Sequence, residues 1–176
     1  MKKILILSIF LCASAVVFSK DYLELTPDGL IVKEDPTASY IVLTYEGLSQ
    51  NDIFSITASY LESELPKNSK EQKMNRITLI PSTSILVNGY GKNVLRKSDN
   101  LIYKISIMVK DKKIRIDIPT FSTQPEKLKN EIFTKTGRLI DPIQKKQIEN
   151  FFNTLISDID KLLFLSSPEN DEENNW

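Results

Sequence analysis

In the stretch KISIMVKDKKIRIDIP, Lys104 to Pro119, apolar side chains fall at every second position: Ile105, Ile107 and Val109, then Ile114, Ile116 and Ile118, around Asp111 and Lys112. This alternation predicts two extended strands. A two-residue tip at Asp111–Lys112 pairs Lys110 with Lys113, Val109 with Ile114, Ile107 with Ile116 and Ile105 with Ile118, which puts every β-branched residue on one side. Each Ile or Val fully buried there contributes roughly 1.5–3 kcal/mol before entropy is counted. A slip of one residue forfeits most of that face. The other side carries Lys104, Ser106, Met108, Lys110, Lys113, Arg115 and Asp117.

Elsewhere the period changes. The short apolar run Leu30 to Val32, punctuated by Pro27, Gly29 and Pro36, reads as a lead-in arm or edge strand. Tyr40 to Tyr45 is near-continuously apolar, which predicts a strand covered on both faces. Gly47 ends it, and Ser49 with Asp52 forms a variant capping box for a helix. That helix sets Ile53, Ile56 and Tyr60 beside Phe54, Ala58, Leu61 and Leu65, and stops at Pro66. After a lysine-rich loop from Lys67 to Lys73, NRITLIP and TSILVNGYG predict two short strands, with Gly89-Tyr90-Gly91 as a strand-ending turn. Lys129 to Leu139 suits a small hairpin or a loop. Asp141, Pro142 and Gln144 then start a helix in which Ile148, Phe152, Leu155, Ile159 and Leu162 keep helical spacing to about Leu165, a rod of roughly 35 Å. The order of elements is α+β: an antiparallel sheet of about five strands, a helix after the first strand, and a long C-terminal helix packed on one face.

The N-terminus supplies an address. Lys2 and Lys3 precede an apolar run from Ile4 to Leu11 that continues through small residues to Phe18, the layout of a secretory signal. Val17 and Ser19 suit a cut before Lys20, with Ala13 and Ala15 offering an earlier one. The chain thus divides into a signal at 1–19, a single α+β domain at 20–165 and an acidic, disordered tail at 166–176. The mature protein is expected to be exported, in the periplasm, at the outer membrane or outside the cell, with no membrane span left after cleavage. Lys plus Arg equals Asp plus Glu at 23 each, so no net field draws the protein to nucleic acid.

Four segments carry a family likeness: LTPDGLIVKEDPTASYIVLTYEGLSQNDIF, ITLIPSTSILVNGYGK, LIYKISIMVKDKKIRIDIPTF and IFTKTGRLIDPIQKKQIENFFNTLI. Together they resemble the exported proteins of the domain of unknown function 4468 family, described as having a TATA-binding-protein-like fold. The resemblance covers nearly the whole mature chain. It implies an envelope or secreted protein of a Bacteroidetes-type bacterium with a curved antiparallel sheet, and it implies no known activity.

The chemistry is defined mostly by what is missing. The chain has no histidine, and its one cysteine, Cys12, lies in the signal. A histidine-based triad, a cysteine nucleophile and a His or Cys metal site therefore drop out, and no cofactor or metal is expected. Glu34 with Asp35 lacks the alternating oxygens and turn glycine of a calcium loop. On the polar side of the alternating hairpin, Met108 opposite Arg115, with Tyr103 or Tyr90 nearby, is the candidate surface for a peptide, glycan or lipid. A non-catalytic envelope binding or assembly module is the first reading. A hydrolase working with two carboxylates is the second. Nucleic-acid binding by analogy of fold is the third, and export and neutral charge oppose it.

Overall fold

A computed structural model describes residues 20–64, 76–80, 83–91, 101–121 and 125–168. Among them the elements run β1 (Leu23–Thr26), β2 (Gly29–Val32), β3 (Tyr40–Thr44), α1 (Gln50–Glu64), β4 (Arg76–Ile80), β5 (Ser84–Gly91), β6 (Leu101–Lys110), β7 (Lys113–Asp117), β8 (Thr120–Phe121), α2 (Pro125–Ile132) and α3 (Pro142–Leu165). The segment expected as a signal, residues 1–19, the Lys67–Lys73 loop and residues 169–176 of the expected acidic tail lie outside the described residues.

The hairpin forms in the register that alternation predicts. Lys110 pairs with Lys113, Val109 with Ile114, Met108 with Arg115 and Ile107 with Ile116. At the tip, Lys112 takes a left-handed φ of 62°, a conformation that costs a non-glycine residue energy. Its N–H donates to the Leu48 carbonyl at 3.1 Å and its carbonyl accepts from the Tyr45 N–H at 2.8 Å. Its Nζ meets Glu46 Oε2. The expected pairing of Ile105 with Ile118 does not occur. Proline at 119, the next residue to face β6, has no N–H to extend that ladder, while Ile118 donates on the β3 side, to the Ser39 carbonyl. Pairing resumes one residue out of step, with Lys104 opposite Thr120 and Tyr103 opposite Phe121. One extra residue on this side makes a bulge.

The main sheet has the order β3-β7-β6-β5-β4, with β8 also on β6, and β1 and β2 form a separate hairpin. The strand predicted to be covered on both faces, β3, is in fact the outermost strand of its side. Ile41 is buried while Tyr40, Val42 and Thr44 are exposed, because an uncharged apolar run looks the same at an edge as at a centre. Gly89 to Gly91 likewise belong to β5 and are not a turn. Gly89 is required there: a Cβ would fall on the ring of Tyr103, its register partner.

Both helix starts follow the sequence. Asp52 accepts from the Ser49 N–H and hydroxyl while the Asp52 N–H donates back to Ser49 Oγ. These bonds hold the Asp52 carboxyl below the usual carboxylate range. Asp141 accepts from the Gln144 N–H at 2.9 Å, with Pro142 opening α3. In the segment Lys129 to Leu139, expected as a small hairpin or a loop, Phe133 and Leu139 bridge antiparallel around the turn at Gly137, while its first residues, Lys129 to Ile132, end a helix, Pro125–Ile132, that the sequence pattern did not predict. The domain also continues past 165, since Ser167 is buried with its hydroxyl on the Glu46 carbonyl.

α1 and α3 cover one face of the sheet, burying Ile53 and Leu61, and Ile148, Phe152, Ile156 and Ile159, against Ile105, Ile107, Ile114 and Ile116. The β1–β2 hairpin is held to α3 by polar side chains. Asn153 Oδ1 accepts from the N–H groups of Tyr22 at 3.0 Å and Leu23 at 2.8 Å, and its Nδ2 donates to the Leu23 carbonyl. Glu149 accepts from the Leu25 N–H. Lys145 bridges Glu24 at 2.9 Å and Glu149 at 3.2 Å. Burial works against the Lys145 charge, but its hydrogen bonds to both carboxylates outweigh that and hold its pKa above the ordinary lysine value.

Asn153→Leu leaves the Tyr22 and Leu23 N–H groups and the Leu23 carbonyl without partners, which costs about 3–9 kcal/mol at about 1–3 kcal/mol per buried unsatisfied group. The expected result is a lower urea midpoint with loss of amide protection in β1. An unchanged midpoint would mean that water replaces these bonds at no cost.

Candidate functional site

Helices lie on one side of the sheet, so its other side is open among the described residues. Register sets a row straight across that open face: Val42, Arg115, Met108, Ser84 and Ile80. Met108 is 44% exposed and Val42 49%, so two of the predicted site residues, Met108 and Arg115, do share this surface. Arg115 is already engaged. Its Nε lies 2.7 Å from Asp117 Oδ1, and its guanidinium sits 4.1 Å from the centre of the Tyr40 ring.

The two predicted tyrosines do not join them. Tyr103 is 3% exposed: it lies five positions, an odd step, from Met108, so it points to the helix side. Its ring packs edge-on against Phe151 and Phe152, with centroids 5.4 and 5.2 Å away. Tyr90 holds the register position opposite Ile102, six residues or about 20 Å along β6 from Met108 at about 3.3 Å per residue. The four residues therefore form no single site.

A more enclosed feature was not foreseen. The β1–β2 turn, the bulge at Ile118–Pro119 and α2 surround a cleft of about 610 Å³. Leu25, Leu30, Phe121, Leu128, Ile132 and Phe133 make its walls apolar, with Ser39 and Lys129 also on its lining. Lys129 faces Asp28 at 3.4 Å, and the Asp28 side chain is almost fully exposed, so water screens this pair heavily. Asp28 is the one carboxylate among the described lining residues. A two-carboxylate hydrolytic mechanism thus finds only one of its groups here. The local signal for this site was Pro125 followed by Leu128 and Ile132 at helical spacing.

Buried and half-buried phenols form the remaining polar cluster. Tyr22 and Tyr45 both donate to the Asp160 carboxylate, and Tyr60 donates to Asp158 at 3.0 Å. Burial first, and then these hydrogen bonds to carboxylates, push all three phenols well above the ordinary tyrosine range. Burial alone raises Tyr103 to about 12. Each aspartate accepts from a side chain of another element, which marks the cluster as a fastening of α3.

No family model matches the chain, and no curated protein matches it. Among solved structures the chain is similar to a TBP-like protein from Parabacteroides distasonis ATCC 8503, at 17% identity over 70% of this chain and 90% of that one, with a TM-score of 0.49. It is also similar to a DUF4468 family protein from Bacteroides ovatus ATCC 8483, at 14% identity over 73% of this chain and 85% of that one, with a TM-score of 0.45. The first carries the fold name, and the second the family name, that the sequence resemblance suggested.

The raised phenol values set an alkaline limit to stability. An unfolded tyrosine ionises near 10.0, whereas the folded state holds these four neutral to higher pH. Their contribution is therefore complete below pH 10 and is lost as pH rises through the folded values. In a spectrophotometric titration, phenolate absorbance from Tyr22, Tyr45, Tyr60 and Tyr103 should appear late and together with loss of the far-UV signal.

Proposed function

We propose that this protein is an exported, non-catalytic binding module of the cell envelope whose ligand is a lipid acyl chain held in the cleft between the β1–β2 turn and α2. The cleft itself carries this reading: about 610 Å³ falls within the range of small-molecule sites, which are concave, mainly apolar and supplied with a few polar groups. Lys129, in its screened pair with Asp28, supplies a cation for an anionic headgroup. Burying the acyl chain would release apolar wall and ligand surface from water at about 25 cal/mol per Å².

Export rests on the charged and then apolar pattern of Met1 to Ser19. A cut after Ser19 keeps the anchors seen among the described residues, the first of which is the Lys20 carbonyl that accepts from Ser157. Destination in the periplasm, at the outer membrane or outside the cell belongs to the same proposal.

Ser39 lies at the exposed rim of the cleft, so Ser39→Trp should fill the mouth while leaving the core untouched. With a dansyl-labelled long-chain fatty acid as probe, the unmodified protein should give saturable, blue-shifted emission, and the variant should lose tenfold or more in affinity at an unchanged melting temperature. Equal affinity in the variant would remove the cleft as the site. For export, the protein recovered from its native cells should have an intact mass that starts at Lys20 and lacks Cys12. A mass that retains Met1 would overturn the leader assignment.

A further inference from the structure

The outer side of β3 is an unclaimed surface with unusual chemistry. The ladder to β7 is bracketed by Tyr45 N–H on the Lys112 carbonyl at 2.8 Å and Ile118 N–H on the Ser39 carbonyl at 3.1 Å. Hydrogen-bonded pairs recur at alternate residues in an antiparallel ladder, so Ile41 and Leu43 also turn their peptide groups to β7. The peptide groups of Tyr40, Val42 and Thr44 turn outward. Among the described residues, β7 is the one strand paired with β3.

Exposed edges are normally guarded by charges, prolines or bulges that prevent pairing with another chain. YIVLT has none of these. The opposite edge strand, β4, opens on Arg76. An edge that is uncharged, regular and half-exposed at Tyr40 and Val42 is built to be paired.

We propose that β3 pairs with β3 of a second copy, antiparallel about a two-fold axis through Val42. Val42 then faces Val42 of the other copy, and Tyr40 faces its Thr44, so the outward groups of both strands are satisfied at once by about six hydrogen bonds. The five-strand order of each copy joins into one continuous sheet. The charges agree with this register. The row that contains Thr44 and Lys113 continues into Tyr40 and Asp117 of the other copy, opposite charges three strand spacings, or about 14 Å, apart. The two Arg115 side chains are equally distant across the Val42 row, and each is already paired with its own Asp117. No like charges meet at the seam. A two-fold contact uses the same edge twice and closes, whereas a β3-to-β4 contact would leave edges free and grow a filament. One five-residue seam is small for an interface, so the dimer is expected to dissociate at micromolar concentrations or above.

Sedimentation equilibrium of the processed protein over a wide concentration range should show monomer and dimer alone. Val42→Lys and Val42→Glu each place like charges on the axis and should each be monomeric. Mixed in equal amounts, they should restore a dimer, because lysine then faces glutamate. Hydrogen exchange provides a second reading that needs no variant: the Tyr40, Val42 and Thr44 amides should gain protection as concentration rises. A protein that stays monomeric to millimolar concentration, assemblies larger than a dimer, single variants that dimerise as strongly as the original, or a mixture that fails to reassociate would each overturn the proposal.

Discussion

The strict alternation of β6 is the constraint on which the rest of the molecule depends. From Leu101 to Val109 every odd residue is buried and every even one is partly or fully exposed. Because the side-chain period is two, this one strand decides which side of the sheet both helices cover and which side stays open. Ile105 and Ile107 are among its most deeply buried residues, and each cross-strand partner in β5 and β7 inherits the same facing. At roughly 1.5–3 kcal/mol for each buried branched side chain, no competing register comes close. The break at Pro119 is tolerated because it lies beyond the last of these pairs, and Ile118 beside it stays bonded to Ser39 on the β3 side.

What was legible in the sequence was mainly local. The hairpin register, the Ser49–Asp52 box and the Asp141–Pro142 start of α3 each depend on residues within a few positions of one another, and each is present. Tyr103 was legible too, since counting from Met108 already puts it on the buried side. The edge position of β3 was not, because YIVLT satisfies the pattern of a central strand and only the order of strands reveals otherwise. The cleft was the least legible feature. Its walls come from Leu25, Phe121 and Ile132, which nothing local connects, and it opens where a missing proline N–H shifts the pairing by one residue.

Two kinds of cohesion hold the domain. The sheet and helices meet through branched and aromatic side chains, in which Tyr103, Phe151, Phe152 and Phe121 stack at angles. The β1–β2 hairpin meets α3 through directed polar groups, chiefly Asn153, Glu149 and the Asp160 carboxylate shared by Tyr22 and Tyr45. Apolar contact is forgiving of direction. Hydrogen bonds to a buried amide are not, so these side chains fix where the hairpin sits along the helix, and with it the position of one wall of the cleft.

The Asn153 contacts join residues about 130 positions apart. During synthesis the first hairpin therefore has nothing to dock on until α3 has left the ribosome. Loop closure over such a distance is entropically slow to achieve. The first hairpin must stay undocked while the sheet between is made, and the architecture closes only when these two segments, distant in sequence, meet.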